Sequence, residues 1–160
     1  MKTRASSWMG PRGEGYVAVQ LVLMALVVIG PRTCPGLPAW SGPVTSIAGI
    51  VVLAIGIALV VAGIGALGRN LTATPRPKPG AALVERGPYR LVRHPMYAGA
   101  VIAAFGWALA VHGWLTLAYA VALFAFFDVK ARREECWLRE EIPGYAAYER
   151  RVPKLIPFIY

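Results

Sequence analysis

The chain has 160 residues, of which 57% are hydrophobic and 16% charged, and its formal net charge is +9. This apolar share exceeds the value of about 45–50% usual in soluble domains, which indicates a membrane protein. The length suggests a single domain over residues 1–160. The charges lie between apolar runs, which fits membrane topology better than nucleic-acid binding. We therefore expect the lipid bilayer as a partner and not nucleic acid. Two isolated cysteines match no metal-ligand spacing, so we expect no metal.

The first apolar run covers residues 16–30 and contains one polar side chain, Gln20. It is short for a membrane span, which needs about 20 residues, so either partial or full crossing is compatible with it. A secretory signal peptide is the alternative, but the residues that follow, PRTCPG, contain no small-x-small cleavage site. We therefore predict a membrane helix here, followed by a Pro/Gly-rich turn over residues 31–42.

The second apolar run, residues 43–68, contains no charge and is the clearest span. As a helix it extends about 39 Å, which exceeds the bilayer core of about 30 Å. Small residues recur at every fourth position and predict close packing against another helix: Ala54, Ala58, Ala62 and Ala66. Residues 63–68 also spell G-x-G-x-x-G, but a membrane helix precedes them and a proline-rich segment follows, so we reject a nucleotide-binding fold.

The third apolar stretch, residues 96–129, is too long for one upright span and slightly short for two. His112-Gly113 offers a break near its middle. We predict a tight helical hairpin with helices over about 96–111 and 114–129, either crossing fully or stopping short of the far face. With two N-terminal spans in residues 1–70 and the hairpin in residues 71–160, the predicted fold is all-α with about four transmembrane helices.

The distribution of Lys and Arg predicts the orientation. With four spans, all 17 of them except Arg32 lie on one side of the membrane, beginning with Lys2, Arg4 and Arg12. The positive-inside rule places that side, with both termini and the polar C-terminal residues 130–160, in the cytoplasm. Prolines and apolar residues near the end predict a tail that folds back on the membrane surface: Pro153, Leu155, Ile156, Pro157, Phe158 and Ile159.

A cationic cluster, RGPYRLVRHPMYAG at residues 86–99, directly precedes the hairpin. Pro95 suits the first position of a helix, so the amide groups of that helix start, together with Arg90 and Arg93, could hold a carboxylate or phosphate. The alternative is that the arginines anchor the topology by reaching lipid phosphates, and that His94 is a cap or packing residue.

A second polar cluster follows the hairpin. If the last helix continues beyond the membrane, Glu134 lies one turn after Lys130, an ordinary i,i+4 pair. Glu134 and Glu135 either belong to a solvated helix face, or one of them contacts a cationic or hydroxyl-bearing ligand. Because both clusters flank the same hairpin, its closure would bring them together around a site open to a soluble cofactor from the cytoplasm and a lipid-like substrate from the bilayer.

Together, GPYRLVRHPMYAG, the hairpin and the later REE…L…GYAAYERRVPKLIPF resemble the isoprenylcysteine carboxyl methyltransferase family and the related phospholipid methyltransferases. The likeness covers about residues 80–160. It implies an integral membrane methyltransferase that uses S-adenosylmethionine and has no Rossmann domain. Ile142-Pro143-Gly144 departs from the Phe-Gly-Glu stretch of many relatives and loosens the register around the two glutamates.

The resemblance also implies roles for individual residues. Arg93, His94 and Glu134 would be catalytic, and Lys130 falls near a position where eukaryotic members place a substrate-contacting arginine. Contacts to the cofactor would come from the same segments: Ala81, Ala82, Leu83, Val84, Tyr89, His94, Pro95, Met96, Tyr97, Glu134 and Glu135.

These residue types suit the chemistry that the resemblance implies. A glutamate suits the ammonium or ribose of the cofactor, an arginine or a helix start suits its carboxylate, and Tyr89 and Tyr97 suit its adenine or sulfonium. Methyl transfer mainly requires alignment of donor and acceptor and exclusion of water. The family name implies a prenylated cysteine carboxylate as acceptor; a phospholipid or other lipid amine, a small hydrophobic metabolite, or a non-catalytic lipid-binding role are the alternatives.

Overall fold

A computed structural model of the chain describes residues 13–72, 74, 76–78 and 80–157. Within these ranges the regular elements are five α-helices: α1 (Glu14–Ile29), α2 (Pro43–Leu67), α3 (Pro95–Ala110), α4 (Trp114–Glu141) and α5 (Tyr145–Arg151). Two short 3₁₀ turns, Gly68–Asn70 and Gly87–Arg90, accompany them. The prediction of an all-helical fold is confirmed for this part of the chain. Five residues named above lie outside it: Lys2, Arg4, Arg12, Phe158 and Ile159.

Among the residues that the structure describes, two helices are long and apolar enough to cross a bilayer. They are Pro43–Asn70, which joins α2 to the first 3₁₀ turn, and Trp114–Glu141, which is α4. Helices α1 and α3 are apolar but have 16 residues each, or about 24 Å, which is less than the bilayer core of about 30 Å. Much of α2 is both apolar and exposed, including Val44, Ile47 and Val61. This pattern is consistent with a membrane protein.

Helices α2 and α3 run antiparallel and touch backbone to backbone at two glycine pairs. Gly49 faces Gly106, and Gly56 faces Gly99. A Cβ built on any of the four would lie 2.6–2.7 Å from the carbonyl oxygen of the facing glycine, closer than packed atoms approach. The absence of a side chain is therefore what allows this contact, and it ties the hairpin firmly to the second apolar helix.

Two other sequence patterns on α2 have different outcomes. The prediction that its alanine stripe makes the close helix contact is wrong, because Ala54, Ala58 and Ala62 are exposed while the glycines on another face are buried. The close contact forms at the glycines because they have no Cβ to hold the two backbones apart. The G-x-G-x-x-G pattern at residues 63–68 does follow a helix and not a strand, as expected for a chance match.

The predicted hairpin break is confirmed. Helix α3 ends at Ala110, His112 has a φ of +54°, and α4 begins at Trp114. The predicted end of the second helix near residue 129 is corrected, because α4 continues about three turns further to Glu141. Residues 130–141 consist mostly of good helix formers such as Ala, Arg, Leu and Glu. The second polar cluster therefore lies on the same rigid helix as the apolar part.

The two helices of the hairpin, α3 and α4, pack on each other, and each also packs on one N-terminal helix. Helix α2 packs on α3, and α1 packs on α4 with a smaller contact to α3. Side chains from α1, α3 and α4 meet in an apolar core that includes Val27, Val101, Leu123 and Phe127. Helices α1 and α2 make few or no close contacts with each other.

The chain after α5 returns to the start of α3. The carbonyl oxygens of Pro153 and Lys154 accept hydrogen bonds from the backbone N–H groups of Arg93 (2.9 Å) and His94 (3.1 Å). Lys154 is buried and donates to Asp128 on α4 (2.5 Å). The described part of the predicted tail therefore packs against the first polar cluster.

Candidate functional site

A cavity lies between the start of α3, the polar half of α4, helix α5 and the irregular segment of residues 81–84. The cavity is partly open to solvent and has a volume of about 150 Å³. Most of the predicted site residues line it: Ala81, Ala82, Leu83, Val84, Tyr89, Arg93, His94, Met96, Tyr97, Lys130 and Glu134. The fold thus brings both polar clusters to one cavity.

Pro95 and Glu135 are the predicted site residues that do not line the cavity. Pro95 is buried at the first position of α3, where its missing N–H costs little. Glu135 is 3% exposed, and its Oε1 accepts hydrogen bonds from Arg93 Nε (2.8 Å) and His94 Nε2 (3.0 Å). Glu135 therefore holds two site residues from the protein side.

The guanidinium of Arg93 is engaged by protein groups. Besides its bond to Glu135, Nη1 donates to the backbone oxygens of Glu149 (2.9 Å) and Val152 (2.6 Å) at the end of α5. Arg90 is exposed and lies outside the cavity wall. The sequence suggested that Arg90 and Arg93 could hold one anion together, and the structure does not bring them together in this way. Arg93 instead joins the start of α3 to α4 and α5.

A stack of three rings lies beside the cavity, and two of them, His94 and Tyr97, line it. The rings of His94 and Tyr97 are parallel to within 1°, with centroids 5.3 Å apart, and those of Tyr97 and Phe127 to within 8° at 4.6 Å. The Tyr97 hydroxyl donates to Glu134 Oε2 (2.8 Å), and His94 Nδ1 is 3.8 Å from the same oxygen. Glu134 is thus the carboxylate that faces the cavity, and the structure distinguishes it from Glu135.

A polar pair on two helices closes another side of the cavity. Lys130 is 1% exposed, and its ammonium donates to Gln20 Oε1 on α1 (2.5 Å) and lies 5.1 Å from the centroid of the Tyr97 ring. Both members of the pair line the cavity. Sequence reasoning missed Gln20, although a polar side chain inside an apolar span is itself a signal of function.

Three tyrosines form the wall nearest to α5. Burial, helped by the charge of Glu134, raises the pKa of Tyr89 well above its ordinary value, and the pKa of Tyr145 is raised by burial and by Glu135. Tyr148 donates to the backbone oxygen of Tyr89 (2.6 Å). Both α5 tyrosines were missed as site residues, although they belong to the GYAAYERR stretch that carries the resemblance.

The chain is similar to several known proteins. The profile of the phospholipid methyltransferase family matches residues 44–142. The chain is 33% identical over 79 residues to protein-S-isoprenylcysteine O-methyltransferase B of Arabidopsis thaliana, covering 48% of this chain and 40% of that protein.

Two further relatives carry related names. A probable protein-S-isoprenylcysteine O-methyltransferase of Oryza sativa subsp. indica is 37% identical over 79 residues (48% of this chain, 41% of the relative). The protein-S-isoprenylcysteine O-methyltransferase of Schizosaccharomyces pombe is 35% identical over 79 residues (48% and 34%). The aligned segment spans less than half the length of each of these relatives.

Proposed function

The chain belongs to the phospholipid methyltransferase family, and from that premise we propose that it is an integral membrane enzyme that transfers a methyl group from S-adenosylmethionine to a lipid-like acceptor. The observation that carries the proposal is the convergence of both polar clusters on one cavity. That cavity also touches α1 through Gln20 and the end of α2 through Leu67, so a single space would serve a polar donor and an apolar acceptor.

The polar groups on the cavity wall suit S-adenosylmethionine. Glu134, steadied by the Tyr97 hydroxyl, would accept hydrogen bonds from the donor's ammonium or ribose. The rings of Tyr89 and Tyr97 would pack on its adenine or near its sulfonium. When bound, the cofactor supplies a methyl group on a positively charged sulfur. His94 is held by Glu135 on its far side, so the ring stack keeps its position when the cavity is filled.

Alignment of the reactants and exclusion of water would be the protein's main contributions to the transfer. The side chains of Leu83, Met96 and Leu138 give the cavity apolar surfaces that would displace water. Arg93 and His94 act in this proposal by fixing the shape of the wall, since Arg93 Nε and His94 Nε2 are both hydrogen-bonded to Glu135. A carboxylate acceptor needs no general base, whereas an amine acceptor must first lose its proton.

The acceptor would enter from the bilayer through a proposed gap between α1 and α2. Helices α1 and α2 are not packed against each other, yet each contributes a wall residue, Gln20 and Leu67. A hydrocarbon chain lying in this gap would keep its apolar surface in lipid while its head reached the ring of Tyr97. This arrangement accompanies a proposed topology of four spans, with both termini and the cavity on the cytoplasmic side.

Lys130 favours an acceptor with an anionic group. Its ammonium is buried at the α1 side of the cavity, with Gln20 as hydrogen-bond partner. Such a cation would attract a carboxylate and repel a protonated amine. We therefore place a prenylated cysteine carboxylate, with Lys130 as its contact, ahead of a phospholipid amine, whose own phosphate could still reach the same ammonium.

The test uses membranes that contain the full chain and a methyl donor with a radiolabelled methyl group. An S-farnesylcysteine with a free carboxylate, or vesicles with phosphatidylethanolamine, serves as acceptor. We expect label in the farnesylated product that mild base releases as methanol, because only an ester is hydrolysed under these conditions. Base-stable label in the phospholipid would instead establish N-methylation.

Donor binding separates an enzyme from a non-catalytic lipid-binding protein. S-adenosylhomocysteine should bind to the detergent-purified chain, and Glu134→Gln should weaken this binding about tenfold. Glu140→Gln is the matched control, since Glu140 is exposed on the same helix and away from the cavity. Absence of binding to the unmodified chain would favour the non-catalytic alternative.

A further inference from the structure

The hydroxyl of Tyr145 is buried without a hydrogen-bond partner. In the described part of the chain, four buried side-chain polar atoms lack one, and they belong to Trp40, Trp107, Thr116 and Tyr145. Tyr145 is the member of this group that lines the cavity. A buried donor without an acceptor is destabilising, so this hydroxyl would be satisfied by a partner that the described part of the protein does not provide.

The ring that carries this hydroxyl is held firmly in place. Gly144, with a φ of +84°, turns the chain into α5, and Tyr145 is 3% exposed within a cluster that includes Ile142 and Tyr148. Its ring meets that of Tyr148 at 64° with 5.8 Å between centroids, and Leu83 packs against the same cluster. A ring packed on these sides cannot swing far, so a partner would have to come to the hydroxyl through the cavity.

We propose that the Tyr145 hydroxyl donates a hydrogen bond to an oxygen atom of the bound methyl donor. The inference rests on the proposed function, because it takes the cavity to be the donor site. Tyr145 packs near residues 81–84, whereas the Lys130–Gln20 pair belongs to the side of the cavity formed with α1. The hydroxyl therefore meets the donor and not the acceptor. A tyrosine hydroxyl is protonated at neutral pH, as a donor must be, since its ordinary pKa is about 10.

Two conservative variants of α5 separate a ligand-binding hydroxyl from a structural one. Tyr145→Phe removes the unpartnered hydroxyl, and Tyr148→Phe removes the hydroxyl that bonds to the Tyr89 carbonyl. Both substitutions keep the ring and hence the packing. The measurements are equilibrium binding of S-adenosylhomocysteine and thermal unfolding without ligand, each on the detergent-purified full chain.

We expect Tyr145→Phe to weaken S-adenosylhomocysteine binding about fivefold to tenfold, the usual effect of one hydrogen bond. Its unfolding temperature without ligand should equal or exceed that of the unmodified chain, because no protein partner is lost. Tyr148→Phe should instead lower the unfolding temperature. Methylthioadenosine, which lacks the amino-acid part, locates the oxygen: equal binding to both chains places it on the carboxylate, and weaker binding to Tyr145→Phe places it on the ribose.

Equal binding of S-adenosylhomocysteine to Tyr145→Phe and to the unmodified chain would overturn this inference and leave the proposed function standing. A drop in the unfolding temperature of Tyr145→Phe as large as that of Tyr148→Phe would also overturn it, because the hydroxyl would then have a protein partner. Failure of the unmodified chain to bind the ligand would remove the proposed function itself.

Discussion

Two adjacent glutamates on α4 should respond to the same substitution in opposite ways. Glu135→Gln removes a buried charge that accepts hydrogen bonds from Arg93 and His94. Loss of one partner from a buried ion pair costs about 3–5 kcal/mol. Glutamine keeps one acceptor oxygen, so we expect the lower end, about 3 kcal/mol. For a chain of this size that corresponds to a fall of roughly 6–12 °C in the unfolding temperature.

Glu134→Gln should leave the stability nearly unchanged. Its carboxylate is partly exposed to the cavity, and its close protein contact is the Tyr97 hydroxyl. The oxygen of a glutamine could still accept the hydrogen bond from that hydroxyl. The loss should stay below about 1 kcal/mol. Binding of S-adenosylhomocysteine should fall about tenfold, because the negative charge available to the donor is gone.

The assay pairs thermal unfolding in detergent with ligand titration for both variants and the unmodified chain. A Glu135→Gln chain that unfolds within 1 °C or so of the unmodified protein would refute the division of roles between the two carboxylates. The same conclusion would follow if Glu134→Gln proved the more destabilising of the two.

Three further predictions concern other parts of the molecule. Gly56→Ala should destabilise the chain by several kcal/mol, because its Cβ would meet the facing backbone, whereas Gly65→Ala, with nothing within 4 Å, should stabilise it by about 0.5–1 kcal/mol; thermal unfolding compares the two. Gln20→Leu should raise the KM for the acceptor and leave S-adenosylhomocysteine binding unchanged, as separate titrations would show, because it removes one hydrogen-bond partner of Lys130 on the α1 side of the cavity. Glu149→Gln should cost under about 1 kcal/mol at neutral pH. Hydrogen bonds from Arg139 lower the pKa of Glu149. The stabilisation that Glu149 provides at neutral pH should therefore be lost as the pH falls below the ordinary value of 4.5. Unfolding curves of Glu149→Gln and of the unmodified chain, recorded at several pH values, should converge below that pH.

Local sequence rules predicted the features that depend on local chemistry. The break at His112-Gly113 and the helix start at Pro95 follow from backbone preferences of those residues, and both are found. The two polar clusters were expected to meet because they flank one hairpin, and Glu134 and Tyr97 do meet.

Features that depend on helix rotation and on distant partners could not be predicted from the sequence. Whether Glu134 or Glu135 faces the cavity depends on how α4 is turned about its axis, which packing against the other helices decides. The alanine stripe and the glycines of α2 are equally regular in the sequence, yet only the glycine face at Gly49 and Gly56 had matching glycines on α3. Gln20 gained its role from a lysine more than a hundred positions away.

The bonds from the backbone of Arg93 and His94 to Pro153 and Lys154 have a consequence for how the protein is made. A growing chain that has already inserted both helices of the hairpin still lacks the carbonyls that hold the start of α3. The side chain of Arg93 likewise lacks its acceptor, the backbone oxygen of Val152, until that residue has been added. Insertion of the hairpin would therefore precede assembly of the cavity, which would be completed only after residues 152–154 had been made.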